Sequence, residues 1–295
     1  MARIAVVGLG LMGGALAANL MEEGHTVVGY DPEAERRAEH AARGGDVATA
    51  ESEAVATCEF ALLSLPNGEI VREVCENHIA PTGPPGLLVM DTTTADPADS
   101  IHAAAILAEA GISYVDATIS GNAAQGARRD IVFMVGGPEN LVEPAGAILH
   151  PLGRAVYHVG EVGAGSRVKL VVNHILSINR TAVAEGLAVA EKAGLDLATV
   201  LEVLRDGAAY SKAMDIWGDR MVTGDHWPPA SRVRQSHKDS RLINAHAERV
   251  GASRALVALV REALIEAEEG GLADADNSSI MEVMRRRAGI GRYDV

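Results

Sequence analysis

A short glycine motif near the start of the chain limits what this sequence can fold into. GLGLMG, residues 8 to 13, follows the β-branched run RIAVV and opens the Ala- and Leu-rich segment GALAANLMEEG. In such a motif the first glycine permits a tight turn, the second lets the backbone approach a pyrophosphate, and the third lets helix and strand pack closely. A phosphate there meets the free N–H groups and the positive end of the helix dipole. The motif predicts a dinucleotide-binding turn made of Gly8, Leu9, Gly10, Leu11, Met12 and Gly13.

An acidic residue follows at the spacing that a dinucleotide site requires. Asp31 ends the next apolar run, VVGYD, 18 residues beyond Gly13. A carboxylate there can accept both ribose hydroxyls of NAD and would repel the 2′-phosphate of NADP. Arg36 and Arg37 lie close downstream and could still neutralise that phosphate. The sequence therefore favours NAD over NADP as the cofactor, and a simple turn at Asp31 before Pro32 is the alternative.

The two halves of the chain differ in hydrophobic periodicity. Short apolar runs alternate with helical segments in the first half, which predicts parallel strands joined by right-handed crossovers. The runs are RIAVV, TVVGY, FALLSL, LLVMDT, ISYVDA and IVFMVGG. Beyond about Gly165 only helical periodicity remains, broken near GDHWPPAS, and one helix is expected to run from about 165 to Ala193. We predict an α/β protein with a Rossmann dinucleotide-binding domain over residues 1–164. A long interdomain helix then leads into an all-α domain over residues 165–295.

Composition argues against several kinds of partner and site. The formal net charge is −14, whereas nucleic acid and anionic membranes attract a basic protein face. Cys58 and Cys75 are too few for a disulfide framework and have no metal-ligand spacing, so no metal is expected. No apolar run reaches the roughly 18 residues of a membrane span, and no signal-peptide pattern opens the chain. We expect a cytoplasmic protein that binds neither nucleic acid nor membrane.

A lone ammonium group stands in an apolar helical run. GSRVKLVVNHIL, residues 165 to 176, carries Lys169 and, four residues later, Asn173. Positions i and i+4 lie on the same face of a helix. The two polar side chains therefore either reach solvent together or point into one pocket.

Four stretches in this order resemble the β-hydroxyacid dehydrogenases, the family typified by 3-hydroxyisobutyrate dehydrogenase. They are IAVVGLGLMGGALAANL, DATISGN (116–122), GAGSRVKLVVNH and HKDSRL, and SLP (64–66) and DTTTADP (91–97) also fall where that family lines its nicotinamide site. The resemblance covers essentially the whole chain. It implies an NAD(P)-dependent oxidoreductase that transfers a hydride between nicotinamide and the hydroxyl or carbonyl carbon of a small hydroxy acid or its semialdehyde.

The resemblance also implies residue roles and an assembly. Lys169 would be the catalytic general acid/base, and Asn173 would help to hold the substrate. The substrate carboxylate would be bound by Ser120, Gly121 and Asn122; the cofactor would contact Leu65, Pro66 and Thr94 and be closed over by Lys238, supported by Asp239. The chemistry is consistent, because a lysine with a lowered pKa can take or give the hydroxyl proton. The family fold implies a homodimer or homotetramer.

The chain departs from the family pattern at a few positions. Asn122 stands where a second glycine is common, His174 where another asparagine is frequent, and Arg129 where relatives usually carry glycine. Upstream of Lys238 the chain is polar, with Arg232, Arg234, Gln235 and His237. These residues form either a solvated helix face or part of a pocket for a hydroxylated or doubly anionic acid.

Four other readings of the sequence stay open, and one of them, within the same superfamily, is glyoxylate-reductase-like activity on succinic semialdehyde or glyoxylate. Imine reductases share the architecture but commonly carry aspartate or tyrosine where Lys169 stands, so the lysine disfavours them. The 6-phosphogluconate dehydrogenases share the N-terminal motif but generally have much longer chains. A non-catalytic NAD-binding module would keep the glycine turn without needing Lys169.

Overall fold

A computed structural model describes residues 1–291 of the protein. The chain divides into two compact units, Met1–Lys169 and Leu170–Val295. The division falls within one helix. The last four residues of the all-α domain expected from the sequence lie outside the described residues.

The first unit is built on one eight-stranded sheet with the strand order β3-β2-β1-β4-β5-β6-β7-β8. Strands β1 to β6 all run parallel to one another. Strand β7 pairs with β6 in the antiparallel direction, and β8 is parallel to β7. The strands are β1 (Arg3–Val7), β2 (Thr26–Tyr30), β3 (Asp46–Val47), β4 (Phe60–Leu63), β5 (Leu88–Asp91), β6 (Ser113–Ser120), β7 (Val132–Gly136) and β8 (Ala155–Gly160). Two apolar cores pack against the sheet, and central strands contribute to both because their side chains alternate.

Helices connect the strands as the sequence predicts. They are α1 (Leu11–Glu22), α2 (Ala34–Ala42), α3 (Glu51–Val55), α4 (Gly68–Val74), α5 (Pro97–Glu109), α6 (Ala123–Ala127) and α7 (Glu139–Leu149). One turn of π-helix, Cys75–Ile79, continues α4, and a 3₁₀ turn, His150–Leu152, continues α7. The six apolar runs identified in the sequence all form strands. The sequence analysis missed β3, which has only two residues, and β8, whose side chains are all partly or fully exposed.

Helix α8 (Ala164–Lys192) begins and ends within one residue of the expected limits. The second unit contains the remainder of α8 and the helices α9 (Leu197–Asp206), α10 (Asp219–Thr223), α11 (Val233–Arg249), α12 (Ala255–Glu269) and α13 (Ile280–Arg287). A π-helical turn, Met214–Gly218, precedes α10, and a 3₁₀ turn, Asn277–Ser279, precedes α13. Pro228 and Pro229 lie in the non-helical stretch between α10 and α11, as their chemistry requires. An apolar core that includes Leu187, Trp217 and Leu264 holds these helices together. None of the helices within residues 1–291 has the length and hydropathy that crossing a membrane would need.

Candidate active site

The glycine turn between β1 and α1 is as crowded as the sequence motif predicts. Gly8 has φ +93°, and a Cβ there would collide with the carbonyl oxygen of Ser64. A Cβ on Gly13 would overlap the carbonyl oxygen of Gly8, so strand and helix approach as closely as their backbones allow. Both positions therefore require glycine for steric reasons.

The same turn has the donors that a pyrophosphate requires. Helix α1 begins after Gly10, and no side chain caps its first N–H groups. No acidic residue occupies its first turn, so the helix dipole is not neutralised there. Free N–H groups at a helix N-terminus next to a glycine backbone fit the diphosphate of a dinucleotide. The residues present therefore fit NAD(P).

Asp31 binds the backbone of the turn that it faces. Its Oδ2 accepts the N–H of Leu9 at 2.9 Å, its Oδ1 accepts the N–H of Glu33 at 2.9 Å, and the side chain is buried. Each oxygen keeps a further lone pair for a ribose hydroxyl. Asp31 thus also shapes the glycine turn, a role that the sequence analysis did not assign.

The two downstream arginines differ in what they contact. Arg37 donates from Nη1 to the carbonyl oxygens of Asp31 and Pro32, at 2.5 and 3.0 Å. Arg36 pairs through Nε with Glu33 at 2.8 Å, and its Nη1 would lie 2.7 Å from a Cβ placed on Gly10. The guanidinium of Arg36 therefore lies against the glycine turn, whereas Arg37 supports the end of β2.

The ends of β4 and β5 bring the expected cofactor-lining loops together. The strands pair in register, with Leu63 opposite Asp91. The backbone N–H of Leu65 donates to Oγ1 of Thr93 at 3.0 Å, and the N–H of Thr93 donates to Asp91. These bonds bring the segment of Leu65 and Pro66 next to the segment that ends in Thr94.

Ser120, Gly121 and Asn122 connect β6 to the short helix α6. Gly121 has φ +143°, and a Cβ there would lie 2.6 Å from the side chain of Ile131, so the position needs glycine. Asn122 caps α6: its Oδ1 accepts the N–H of Gln125 at 2.9 Å, and Oε1 of Gln125 accepts the N–H of Asn122 at 3.0 Å. The backbone N–H of Asn122 is thus already bonded, so a carboxylate could use it only by displacing the Gln125 side chain.

Lys169 lies in the first unit and bonds the strand that carries the expected carboxylate site. Its Nζ donates to the carbonyl oxygen of Ile119 at 2.5 Å, and the side chain is partly buried. Ile119 immediately precedes Ser120. The structure therefore brings the ammonium group of Lys169 close to the end of β6, where Ser120 and Gly121 lie.

The remaining expected residues lie in the second unit. Asn173 follows Lys169 by one turn of α8, so the two side chains leave the helix on the same face. Nδ2 of Asn173 donates to Asp239 at 2.9 Å, which leaves its amide oxygen oriented away from that bond. Lys238 pairs with the other carboxylate oxygen of Asp239 at 3.2 Å. Asp239 therefore contacts both Asn173, the expected substrate-binding residue, and Lys238, the expected cofactor-binding residue.

The departures from the family pattern lie in different surroundings. Arg129 has φ +61°, a left-handed conformation that glycine adopts more readily, and it pairs with Glu22 and Glu23. Burial lowers the pKa of His174 and so favours its neutral form. The polar run before Lys238 also has partners, since Arg232 and Arg234 pair with Asp274 and His237 pairs with Glu268. Gln235 is exposed. These contacts favour the solvated-face reading of that run.

Sequence reasoning missed four residues that shape these segments. Gln125 completes the cap at Asn122, Thr93 joins the two cofactor loops, and Asp116 accepts N–H groups at the start of α8. Arg180, fully buried in the second unit, lies over the ring of Trp217 and donates to Ser236. Asp116 could have been found, because an acidic residue in an otherwise apolar strand is unusual. The other three depend on tertiary contacts.

Comparison with family models covers nearly the whole chain. Residues 3–160 match the NAD binding domain of 6-phosphogluconate dehydrogenase. Residues 163–284 match the NAD-binding domain of NADP-dependent 3-hydroxyisobutyrate dehydrogenase.

Individual relatives are similar over their full length. The 2-(hydroxymethyl)glutarate dehydrogenase of Eubacterium barkeri is 28% identical over 290 residues, 98% of this chain and 96% of that protein. The 3-sulfolactaldehyde reductase of Escherichia coli strain K12 is 30% identical over 294 residues, 98% of each chain. The solved structure of Mycobacterium tuberculosis 3-hydroxyisobutyrate dehydrogenase with L-serine superposes with a TM-score of 0.88 at 29% identity. It covers 97% of this chain and 99% of that one.

Proposed function

The chain belongs to the β-hydroxyacid dehydrogenase family and is an NAD(P)-dependent oxidoreductase of hydroxy acids, and from this premise we propose that Lys169 is its general acid/base. The observation that carries the proposal is the bond from Nζ of Lys169 to the Ile119 carbonyl. This bond holds the ammonium group beside the β6 segment proposed to bind the substrate carboxylate.

The residues of the first unit suit both halves of the cofactor. The turn of Gly8, Gly10 and Gly13 would hold the pyrophosphate, and Asp31 would accept from the adenosine ribose. The segments that end in Pro66 and Thr94 would line the nicotinamide. When bound, NAD(P) accepts or gives the hydride. The protein must hold the substrate carbon in place and move one proton.

Lys169 would move that proton. In the oxidation direction its amine takes the hydroxyl proton, and in reduction its ammonium gives a proton to the carbonyl oxygen. The positive charge also stabilises negative charge that develops on that oxygen. Asn173, one turn further along α8, is proposed to bind the substrate through its amide oxygen, because its Nδ2 is held by Asp239. Lys238 is proposed to close over the cofactor.

The proposed substrate is a small hydroxy acid or the matching semialdehyde. Ser120, Gly121 and the side-chain amide of Asn122 are proposed to bind its carboxylate. The side-chain nitrogen of Asn122 makes no hydrogen bond within residues 1–291, so it is available as a donor. One relative is named for 2-(hydroxymethyl)glutarate, a hydroxy acid, and another for 3-sulfolactaldehyde, an aldehyde that carries a sulfonate in place of a carboxylate.

We further propose that NAD is preferred over NADP. Support comes from Asp31, whose buried carboxylate keeps lone pairs for the ribose hydroxyls and would repel a 2′-phosphate. Arg37 is held by backbone carbonyls, which leaves Arg36 as the nearby cation that could favour NADP.

The protein is also proposed to assemble as a homodimer or homotetramer in the cytoplasm. An apolar groove in the second unit supports the assembly. It is lined by Leu195, Thr199, Val200, Val203 and Leu204 together with Asp196 at the N-terminal end of α9, and the side chains of Leu195 and Val203 are more than half exposed. A face of this kind on a soluble chain is typical of protein–protein contacts.

Replacement of Lys169 by methionine tests the proposed function. We expect Lys169→Met to bind NADH as the wild type does and to lose turnover by about 10²- to 10⁴-fold, because the proton donor is absent while the glycine turn is intact. NADH binding is measured by fluorescence titration, and turnover is measured on a panel of hydroxy acids, semialdehydes and imines.

Lys192→Met is the matched control, since Lys192 is exposed at the far end of the same helix. It is expected to keep wild-type turnover. A wild-type protein that binds NADH but converts no member of the panel would show a non-catalytic module instead. Turnover of imines alone would favour the imine reductase alternative.

A further inference from the structure

The first turn of α8 is capped by a side chain from another element. Gly163 precedes the helix and has no side chain with which to accept the first N–H groups. Asp116, in the middle of β6, does so instead: its Oδ1 accepts the N–H of Gly163 at 2.8 Å, and its Oδ2 accepts the N–H of Ser166 at 2.6 Å. The carboxylate thus takes the place of an N-cap residue and faces the positive end of the helix dipole.

Two more bonds join β6 to the same end of α8. Oγ1 of Thr118 donates to the carbonyl oxygen of Gly165 at 2.9 Å, and Nζ of Lys169 donates to the carbonyl oxygen of Ile119. Hydrogen bonds therefore join β6 to α8 at Asp116, Thr118 and Ile119, and β6 ends at the next residue, Ser120. All of these groups belong to the first unit.

The backbones at this contact are too close for a side chain at Gly165 or at Gly136. A Cβ on Gly165 would lie 2.5 Å from the carbonyl oxygen of Met134 and 2.6 Å from that of Asp116. A Cβ on Gly136 would collide with the carboxylate of Asp116. Glycines on both sides therefore let the carboxylate reach the helix end.

An uncharged amide could not replace this carboxylate. Asp116 is fully buried, and burial raises its pKa to about 6, so keeping it ionised opposes folding at neutral pH. Asparagine would avoid that penalty but has one acceptor oxygen, and its NH₂ group would face the second N–H. Two backbone donors need two acceptor oxygens, and only the carboxylate has both.

We propose that Asp116 is a positioning residue for Lys169, acting as an N-cap supplied by β6 that sets the start and rotation of α8. If the cap engaged the residue one position earlier or later, every side chain of the helix would be rotated by about 100° relative to β6. Lys169 lies three residues after Ser166, within the turn that follows the cap. With Asp116 and Thr118 in place, its Nζ meets Ile119 beside Ser120. The inference rests on the proposed function of Lys169.

Asp116→Asn tests the inference because it removes one acceptor without changing the size of the side chain. We expect kcat to fall by about a hundredfold, the effect of a reacting group displaced by about 1 Å. The KM for the cofactor and the affinity for NADH should stay at wild-type values, since the glycine turn does not contact Asp116. Steady-state kinetics and NADH titration give the two readouts.

Tyr114→Phe is the matched control. Tyr114 is a buried residue of the same strand, and its hydroxyl bonds Asp91 at 2.8 Å and makes no bond to α8. It should lower the melting temperature without changing kcat. Thr118→Val, which removes the 2.9 Å bond to Gly165 together with a longer contact at 3.4 Å to the carbonyl oxygen of Met134, should show the same selective loss of kcat as Asp116→Asn, but smaller. It provides the test if Asp116→Asn does not fold.

The outcomes separate this inference from the proposed function. If Lys169→Met keeps wild-type turnover, the proposed function fails and the positioning role fails with it. If Lys169→Met is inactive while folded Asp116→Asn and Thr118→Val keep wild-type kcat, only the positioning role is overturned. A loss of kcat matched by an equal loss of NADH affinity would mean general damage to the fold and would also overturn it.

Discussion

At the residue scale, the proposed preference for NAD over NADP rests on two side chains of opposite charge near the glycine turn. Asp31 bonds the N–H groups of Leu9 and Glu33, and Arg36 lies against Gly10 while paired with Glu33. The carboxylate disfavours a 2′-phosphate, and the guanidinium favours one. Since the Asp31 carboxylate is buried, where charge interactions are less screened, we expect its effect to be the larger of the two.

We predict that Asp31→Asn lowers the ratio of kcat/KM for NAD to that for NADP by about tenfold, because the charge that repels the 2′-phosphate is lost. Arg36→Gln is the opposing control and should raise the same ratio, since NADP loses its cation. Both ratios come from steady-state kinetics with the two cofactors. An unchanged ratio in Asp31→Asn would mean that Asp31 serves only to shape the turn.

At the element scale, the parallel strands β5 and β6 each carry a buried carboxyl group. Burial raises the pKa of Asp91 and of Asp116 to about 6, against about 3.9 in an unfolded chain. Between pH 4 and 6 the folded state therefore binds more protons at these sites than the unfolded state. The contribution of each group to stability is largest below pH 4 and declines as the pH rises to about 6.

We predict that Asp91→Asn is stabilised relative to the wild type above pH 6 and that this difference disappears below pH 4. Asparagine can accept from the N–H of Thr93 and donate to the hydroxyl of Tyr114, so both partners of Asp91 stay bonded. Urea unfolding of both proteins from pH 4 to 7 measures the difference. A difference independent of pH would show that Asp91 does not titrate in this range.

At the scale of the whole molecule, the second unit exposes apolar side chains that a lone protomer would leave in water. Leu195 and Val203 project from the groove beside α9. We predict that Val203→Asp lowers the mass in solution toward that of a single chain, because an unpaired carboxylate in an apolar interface is unfavourable. Analytical ultracentrifugation measures the mass.

Val47→Asp is the control for this assembly experiment, since Val47 is an exposed apolar residue of the first unit at the edge strand β3. It should leave the mass of the wild type unchanged. If the wild type itself sediments as a monomer, or if Val203→Asp keeps the oligomer, the groove is not the contact between protomers.

The sequence by itself determined the elements whose cause is local. Glycine spacing after an apolar run specifies the turn at residues 8 to 13, and six apolar runs specify six strands. Helical periodicity, with Lys169 and Asn173 on one face, specifies α8. Those features follow from backbone sterics and side-chain periodicity. The short β3 and the half-exposed β8 carry too little of either pattern to be found.

Only the tertiary structure decided what each polar side chain contacts. In the fold, Asp31 accepts a hydrogen bond from the glycine turn, and the backbone N–H of Asn122 donates to Gln125. The cap of α8 comes from Asp116, 47 residues before Gly163 in the chain. Periodicity places a side chain on a face of its own element, but its hydrogen-bond partner depends on which other element packs there. The sequence thus predicts Lys169 as the reactive residue, and the fold brings Asp116 and Thr118 of β6 into hydrogen-bond contact with the first turn of its helix.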